Sequence, residues 1–213
     1  MIRPLVKICG ITRPEDAEEA IDLGADLLGL NFWPGSPRAI DRARGREIAA
    51  AACGGITLAG VFVDQEPSEI EEIAAEVGLA LVQLHGREPA EVVARFAGRA
   101  LRVVRGTPGL DVALATPEVW GFLADTPHAR LAGGSGESWD WQPVAPWAAG
   151  KPVLVAGGIG PENLAAALAA TGAAGIDVNS RVESAPGIKD RARLARLFEE
   201  IDRHVESQSA RRG

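Results

Sequence analysis

Two cysteines occur in the chain, and one of them, Cys9, closes the apolar run LVKIC directly before Gly10. A thiol in that place is either a small core residue or a group that moves a proton. Other apolar runs also end in reactive side chains. GFLAD ends on Asp125, an acid that either caps a helix or takes part in proton transfer. VQL is followed by His85 and Gly86. An imidazole there either bridges loops by hydrogen bonds or meets a ligand, and with three histidines in the chain a histidine metal site is not expected. Arg38, next to Pro37 in FWPGSPR, is either a solvated surface side chain or a planar fork for a carboxylate or phosphate. Three glycine-bearing stretches, AGGSGESWDW, AGGIGPENL and DVNSRVESAPGIKD, follow further runs. Glycine lets backbone N–H groups approach anionic oxygens, and a helix N-terminus adds a favourable dipole, so together these loops suit a phosphorylated ligand.

What must position these groups is an alternation of short β-branched runs with alanine-rich, charged stretches at helical spacing. Eight strands are expected, at 5–9, 26–32, 57–63, 79–84, 100–104, 119–125, 152–157 and 174–179. The stretches between them often open on Pro with acids in the first turn and end in Gly, as helices do. The fifth and sixth, TPGLDVALATPE and WQPVAPWAAG, carry prolines and read as short or weak helices. Such a chain pairs its strands in parallel with right-handed crossovers, and eight units point to an α/β fold, a single closed (β/α)8 barrel. Reactive groups in such barrels gather where strands end and the following loops begin. Alternation along the first strand puts Leu5, Lys7 and Cys9 on one face. An inward Lys7 needs an anionic partner, and Asp177 on the last strand, beside the first in a closed barrel, is the candidate.

With 213 residues the chain can bury a sizeable core without disulfides or metals, and two cysteines make no framework, which fits a reducing cytoplasm. A net charge of -7 argues against a generic nucleic-acid or anionic-membrane binder. No apolar run reaches the ~18 residues of a membrane span, and the first run breaks at Lys7, too early for a signal peptide. A barrel domain over 1–205 is expected, with a frayed polar tail over 206–213.

VKICGITRPEDA, FWPGSPR, GVFVD, VQLHG, GGSGESWDW, AGGIGPENL and GIDVNSRVESAPGIKD, in this order and at these intervals, closely resemble the phosphoribosylanthranilate isomerases of tryptophan biosynthesis. The likeness runs from about residue 5 to 200. It implies a (β/α)8 barrel that carries out an Amadori rearrangement of a phosphoribosyl anthranilate, with a small phosphorylated substrate as its partner and without cofactor or metal. Both monomers and homodimers fit. By the resemblance, Cys9 falls on the general base, Asp125 on the general acid and Arg38 on the arginine that holds the anthranilate carboxylate. Gly134, Ser135, Gly157, Gly158 and Ser180 fall on the phosphate loops, Asp177 matches an acid near the substrate, and His85 is counted with the substrate-binding groups. Glu137, Asn179 and Arg181 depart from the commoner lysine, serine and small residue. An acid role asks that the Asp125 pKa lie above its ordinary value, for which Trp120 and Phe122 could supply apolar surroundings, and Lys7 could favour the Cys9 thiolate. Two other readings stay open: another phosphosugar isomerase or epimerase on the same barrel, and a catalytically silent phosphosugar-binding barrel.

Overall fold

The computed structural model describes residues 3–105, 118–126, 140–141, 144 and 151–210. Eight strands run in chain order around a closed barrel, each parallel to its neighbours. They are β1 (Leu5–Cys9), β2 (Leu27–Asn31), β3 (Thr57–Phe62), β4 (Leu81–Leu84), β5 (Ala100–Arg105), β6 (Gly121–Asp125), β7 (Val153–Val155) and β8 (Gly175–Val178). The ring closes where β8 pairs with β1, with Lys7 opposite Asp177. Each strand begins or ends within about two residues of its sequence-based limits, as expected when burial on both faces makes the run apolar throughout.

The described helices outside the ring are α1 (Pro14–Asp22), α2 (Arg42–Ala51), α3 (Pro67–Val77), α4 (Ala90–Arg95), α5 (Leu164–Thr171) and α6 (Arg191–Ala210). Pro opens α1 and α3 at the first helical positions, and Asp41 caps α2 by accepting the Arg44 N–H at 2.8 Å. The expected weak helices of the fifth and sixth units fall almost wholly outside the described residues. The closing helix continues past 205 to Ala210, so the stretch expected to fray is helical over 206–210. There the hydroxyls of Ser207 and Ser209 donate back to the carbonyls of His204 and Val205. No described helix is long and apolar enough to cross a membrane.

Two cores lie on the two sides of the strands. The larger joins the outer strand faces to the helices through residues such as Ile8, Leu28, Phe62, Val82, Ile176 and Leu197. Inside the ring, Leu27, Ala59 and Leu81 form one cluster and Leu101, Val103, Leu123, Leu154 and Ala156 another, with Leu5 and Trp120 packed against both. The lower interior is therefore a packed floor, and function is confined to the upper end. After β8 a 3-10 turn, Ser180–Val182, leads into a small antiparallel hairpin, β9 (Glu183–Ala185) and β10 (Ile188–Lys189). This hairpin returns to the start of the chain. Thr12 Oγ1 donates to the Gly187 carbonyl, and the Lys189 N–H donates to Asp16 Oδ2 at 3.1 Å.

Candidate active site

Alternation along the strands brings the sequence-predicted groups together. A cleft at the C-terminal end of the barrel is lined by Cys9, His85, Asp125, Gly157, Gly158, Asp177 and Ser180. Gln83, Asn31 and Asn179 share its wall. Gly134, Ser135 and Glu137, the remaining phosphate-loop expectations, lie outside the described residues.

At the base of the cleft, Lys7 is fully buried and its Nζ donates to Asp177 Oδ1 at 2.7 Å. The expected contact is present, and its cause is elementary: an ammonium inside a barrel survives only with an anion beside it. Burial pulls the Lys7 pKa down, but Asp177 and Cys9 outweigh this and hold the ammonium above its ordinary value. Burial also pushes the Cys9 thiol up; Lys7 pulls it down, Asp177 opposes Lys7, and the thiol stays above its ordinary value. Lys7 therefore favours the thiolate, as expected, but restrains the shift from burial without reversing it. Space for the pair comes from β2. A Cβ on Gly29 would stand 2.7 Å from Cys9 Sγ and 3.0 Å from Lys7 Nζ. Gly29→Ala should therefore displace the thiol and lower activity while the protein still folds; kinetics beside a thermal melt separate the two effects.

Asp125 corrects an expectation. Its carboxyl is buried, and burial pushes its pKa up, but His85, the Thr126 N–H and Arg105 together outweigh that and hold it below the ordinary carboxylate value. Trp120 packs against the barrel floor and Phe122 belongs to the outer core, so neither reaches the carboxyl. The Thr126 N–H donates to Asp125 Oδ1 at 2.8 Å, and His85 Nε2 lies 3.2 Å from Oδ2. That second contact is close but poorly aligned, since Nε2 makes no hydrogen bond that satisfies angular limits.

Arg38 is 6% exposed and does not line the cleft. Its Nε donates to Glu183 Oε1 at 2.9 Å and its Nη2 to Oε2 at 2.6 Å. Lys189 Nζ also donates to Glu183 Oε1, at 2.9 Å, and to Asn179 Oδ1, at 3.1 Å. Arg38 is thus no solvated surface side chain but a buried one paired with the hairpin. The guanidinium's aliphatic stem crosses Gly10, where a Cβ would stand 2.6 Å from Arg38 Cδ, and Gly10 itself needs φ +71°. This is the physical reason for a glycine straight after Cys9. Nη1 of Arg38 makes no hydrogen bond among the described residues.

The loop after β7 is preformed. Gly157 and Gly158 take consecutive positive φ values, +81° and +66°, that favour glycine, and both line the cleft. Asn163 staples the loop, donating from Nδ2 to the Gly158 carbonyl at 2.8 Å and accepting the Gly160 N–H at 2.9 Å. Among the described residues the Gly157 and Gly158 N–H groups have no acceptor. Gln83, Glu183 and Lys189 escaped the sequence reading. Gln83 was legible through alternation with His85, whereas nothing in the sequence ties Glu183 and Lys189 to Arg38.

A closed parallel barrel with a thiol, a carboxyl and a glycine-bearing loop lining one cleft at its C-terminal end has the layout of a (β/α)8-barrel enzyme. The family model described as N-(5'phosphoribosyl)anthranilate (PRA) isomerase matches residues 6–200. A curated N-(5'-phosphoribosyl)anthranilate isomerase from Halorhodospira halophila is 40% identical over 209 residues, covering 97% of this chain and 100% of the relative. The solved phosphoribosyl anthranilate isomerase of Thermotoga maritima superposes with a TM-score of 0.86 at 33% identity, over 93% of this chain and 98% of that one. A further solved isomerase, in complex with reduced 1-(o-carboxyphenylamino)-1-deoxyribulose 5-phosphate, gives 0.82 at 32% identity over the same shares. The chain belongs to the phosphoribosylanthranilate isomerase family, the isomerases of tryptophan biosynthesis.

Proposed function

We propose that this chain converts N-(5-phosphoribosyl)anthranilate to 1-(2-carboxyphenylamino)-1-deoxyribulose 5-phosphate, with Asp125 as general acid and Cys9 as general base. The observation that carries the reading is that both side chains line one cleft although β7 and β8 stand between their strands. A sugar lying across the mouth can then meet an acid and a base from different sides.

Asp125 gives a proton to the furanose ring oxygen as the C1′–O bond breaks, and the anilino nitrogen supplies the electron pair that becomes the iminium. Cys9 then takes the C2′ proton, acidified by that iminium, and the electrons form an enolamine. The C2′ hydroxyl gives up its proton and C1′ gains one, so the ketone has the composition of the starting aminoaldose. In the free protein Asp125 favours the carboxylate and Cys9 the thiol. The reactive pair is thus the minority form, with acid protonated and base ionised. A substrate that expels water and brings a dianionic phosphate and a benzoate raises the carboxyl pKa toward its working form.

The phosphate is assigned to the N–H groups of Gly157 and Gly158 and to Ser180, the first residue of the 3-10 turn. The benzoate is assigned to Arg38, which does not line the cleft of the free protein but packs on Gly10 next to Cys9, and would reach it through the Nη1 left over from the Glu183 pair. The two anchors fix the ribose between them, as proximity catalysis needs. Purified protein should consume N-(5-phosphoribosyl)anthranilate in a fluorescence assay, at the same rate with and without a chelator. Absence of turnover on this substrate, with turnover on a phosphosugar lacking the benzoate, would overturn the assignment.

The protonation states also set a pH profile. With the acid held low and the base held high, the fraction of protonated Asp125 falls with pH as the fraction of Cys9 thiolate rises, and their product stays level. kcat/KM should be flat through neutrality. It should fall at the acid end below the ordinary Asp value of about 3.9 and at the alkaline end above the ordinary Cys value of about 8.5. In a Cys53→Ser background, which removes the exposed second thiol, alkylation of Cys9 should rise through that same alkaline range. A midpoint near neutrality in either experiment would contradict the burial-dominated thiol.

A further inference from the structure

Gln83 has no part in the chemistry above, yet it is 1% exposed and lies beside the acid's neighbour. Gln83 on β4 and His85, two residues on and just past the strand's end, both face the cleft. Its Nε2 is 3.1 Å from His85 Nδ1. With the amide nitrogen placed toward the ring, Gln83 donates to Nδ1 of a neutral imidazole, and that arrangement puts the imidazole proton on Nε2. Nε2 faces Asp125 Oδ2 at 3.2 Å. On the opposite side of the carboxyl, Oδ1 accepts the Thr126 N–H. The backbone of His85 is itself fixed, its N–H donating to the Phe62 carbonyl at 2.9 Å and its carbonyl accepting from Arg105 Nη2 at 2.8 Å.

We propose that Gln83 is a positioning residue for the reaction, holding His85 in the tautomer whose Nε2–H faces Asp125 and so orienting the carboxyl that protonates the sugar. The proposal rests on the reading of Asp125 as the acid. With the Nε2–H directed at Oδ2, the proton that Asp125 donates must leave from the side of the carboxyl turned away from the imidazole. The opposite tautomer would present a bare Nε2 lone pair to Asp125. That lone pair would accept the acidic proton itself and withdraw it from the substrate. The loose alignment of the pair in the free protein is the kind of contact that tightens when substrate fills the cleft.

A second feature separates this role from a packing role. Gln83 Oε1 is buried and has no donor among the described residues. A buried acceptor without a partner costs stability, and an apolar side chain of similar size would not carry that cost.

The test uses the full-length protein and the variants Gln83→Leu and Gln83→Glu. Gln83→Leu removes the donor to Nδ1, and Gln83→Glu replaces it by an acceptor that favours the proton on Nδ1. Both should lower kcat by about 10–100-fold with KM within about threefold, the scale seen when an orienting partner of a reactive group is lost. Gln83→Leu should melt no lower than the parent. Nitrogen NMR of labelled histidine, with the His85 signals assigned through His85→Asn, should show Nε2 protonated in the parent and the proton moved toward Nδ1 in both variants. Unchanged kcat in a variant that folds, or an unchanged tautomer, would overturn the proposal, and Gln83→Glu keeps the test alive if Gln83→Leu does not fold. The tautomer is read without turnover. An active Asp125→Asn protein would therefore sink the acid assignment, whereas its inactivity beside a fully active Gln83→Leu would sink only the positioning role.

Discussion

Asp125→Asn should lower kcat by about 10²–10⁴-fold while the product analogue still binds within about threefold of the parent affinity. The amide keeps the shape of the carboxyl and can keep the His85 contact, but it has no proton to give to the ring oxygen. The expectation is sharpened by the direction of the Asp125 pKa, which the surroundings hold low. A carboxylate kept ionised by His85, Thr126 and Arg105 could be only an electrostatic partner of the iminium. In that case the amide would lose the charge, and a substrate whose ring is already open would suffer as much as the closed one. If Asp125 is the acid, the closed furanose suffers far more. Comparing the forward reaction with tautomerisation of an open-chain imine analogue separates the two roles.

Cys9→Ala should be as damaging, lowering kcat by about 10²–10⁴-fold, because methyl cannot take the C2′ proton. Cys9→Ser should rescue little. A hydroxyl ionises far less readily than a thiol, and the burial that raises the Cys9 pKa would raise a serine further. Neither variant should unfold, since Cys9 is a small group at the rim of a barrel whose floor is packed separately by Leu27, Leu81, Leu101, Leu123 and Leu154. A primary isotope effect on substrate deuterated at C2′ should be visible in the parent. Near-parental turnover of Cys9→Ala, with that isotope effect intact, would place the base elsewhere.

The strands were legible because each is buried on both faces and so reads as a continuous apolar run. Their inward side chains followed from alternation alone, which is why Lys7, Cys9 and Asp177 could be placed before any coordinates. The pairing of Lys7 with Asp177 was legible for the same reason: closure of the ring makes the first and last strands neighbours. The electrostatics were not legible. Whether Asp125 and Cys9 sit high or low depends on a balance of burial against neighbours from other strands, and the sequence names candidate neighbours without their distances. Apolar residues close in sequence to Asp125, Trp120 and Phe122, proved to face the floor and the outer core. The destination of Arg38 was hidden too. Its partner Glu183 is 145 residues away, and a hairpin after β8 folds back to meet it. The chain's departure at Asn179 acquires a use in the same place, as an acceptor for Lys189.

The most direct test of the central claim is a crystal structure of this protein with the reduced product analogue bound. Cys9 Sγ should lie within about 3.5 Å of C2′ and an Asp125 oxygen within hydrogen-bond reach of the hydroxyl that was the ring oxygen, with the phosphate on the Gly157–Gly158 loop. An analogue bound with C2′ out of reach of the sulfur, or with the Asp125 carboxyl facing away from that hydroxyl, would contradict it.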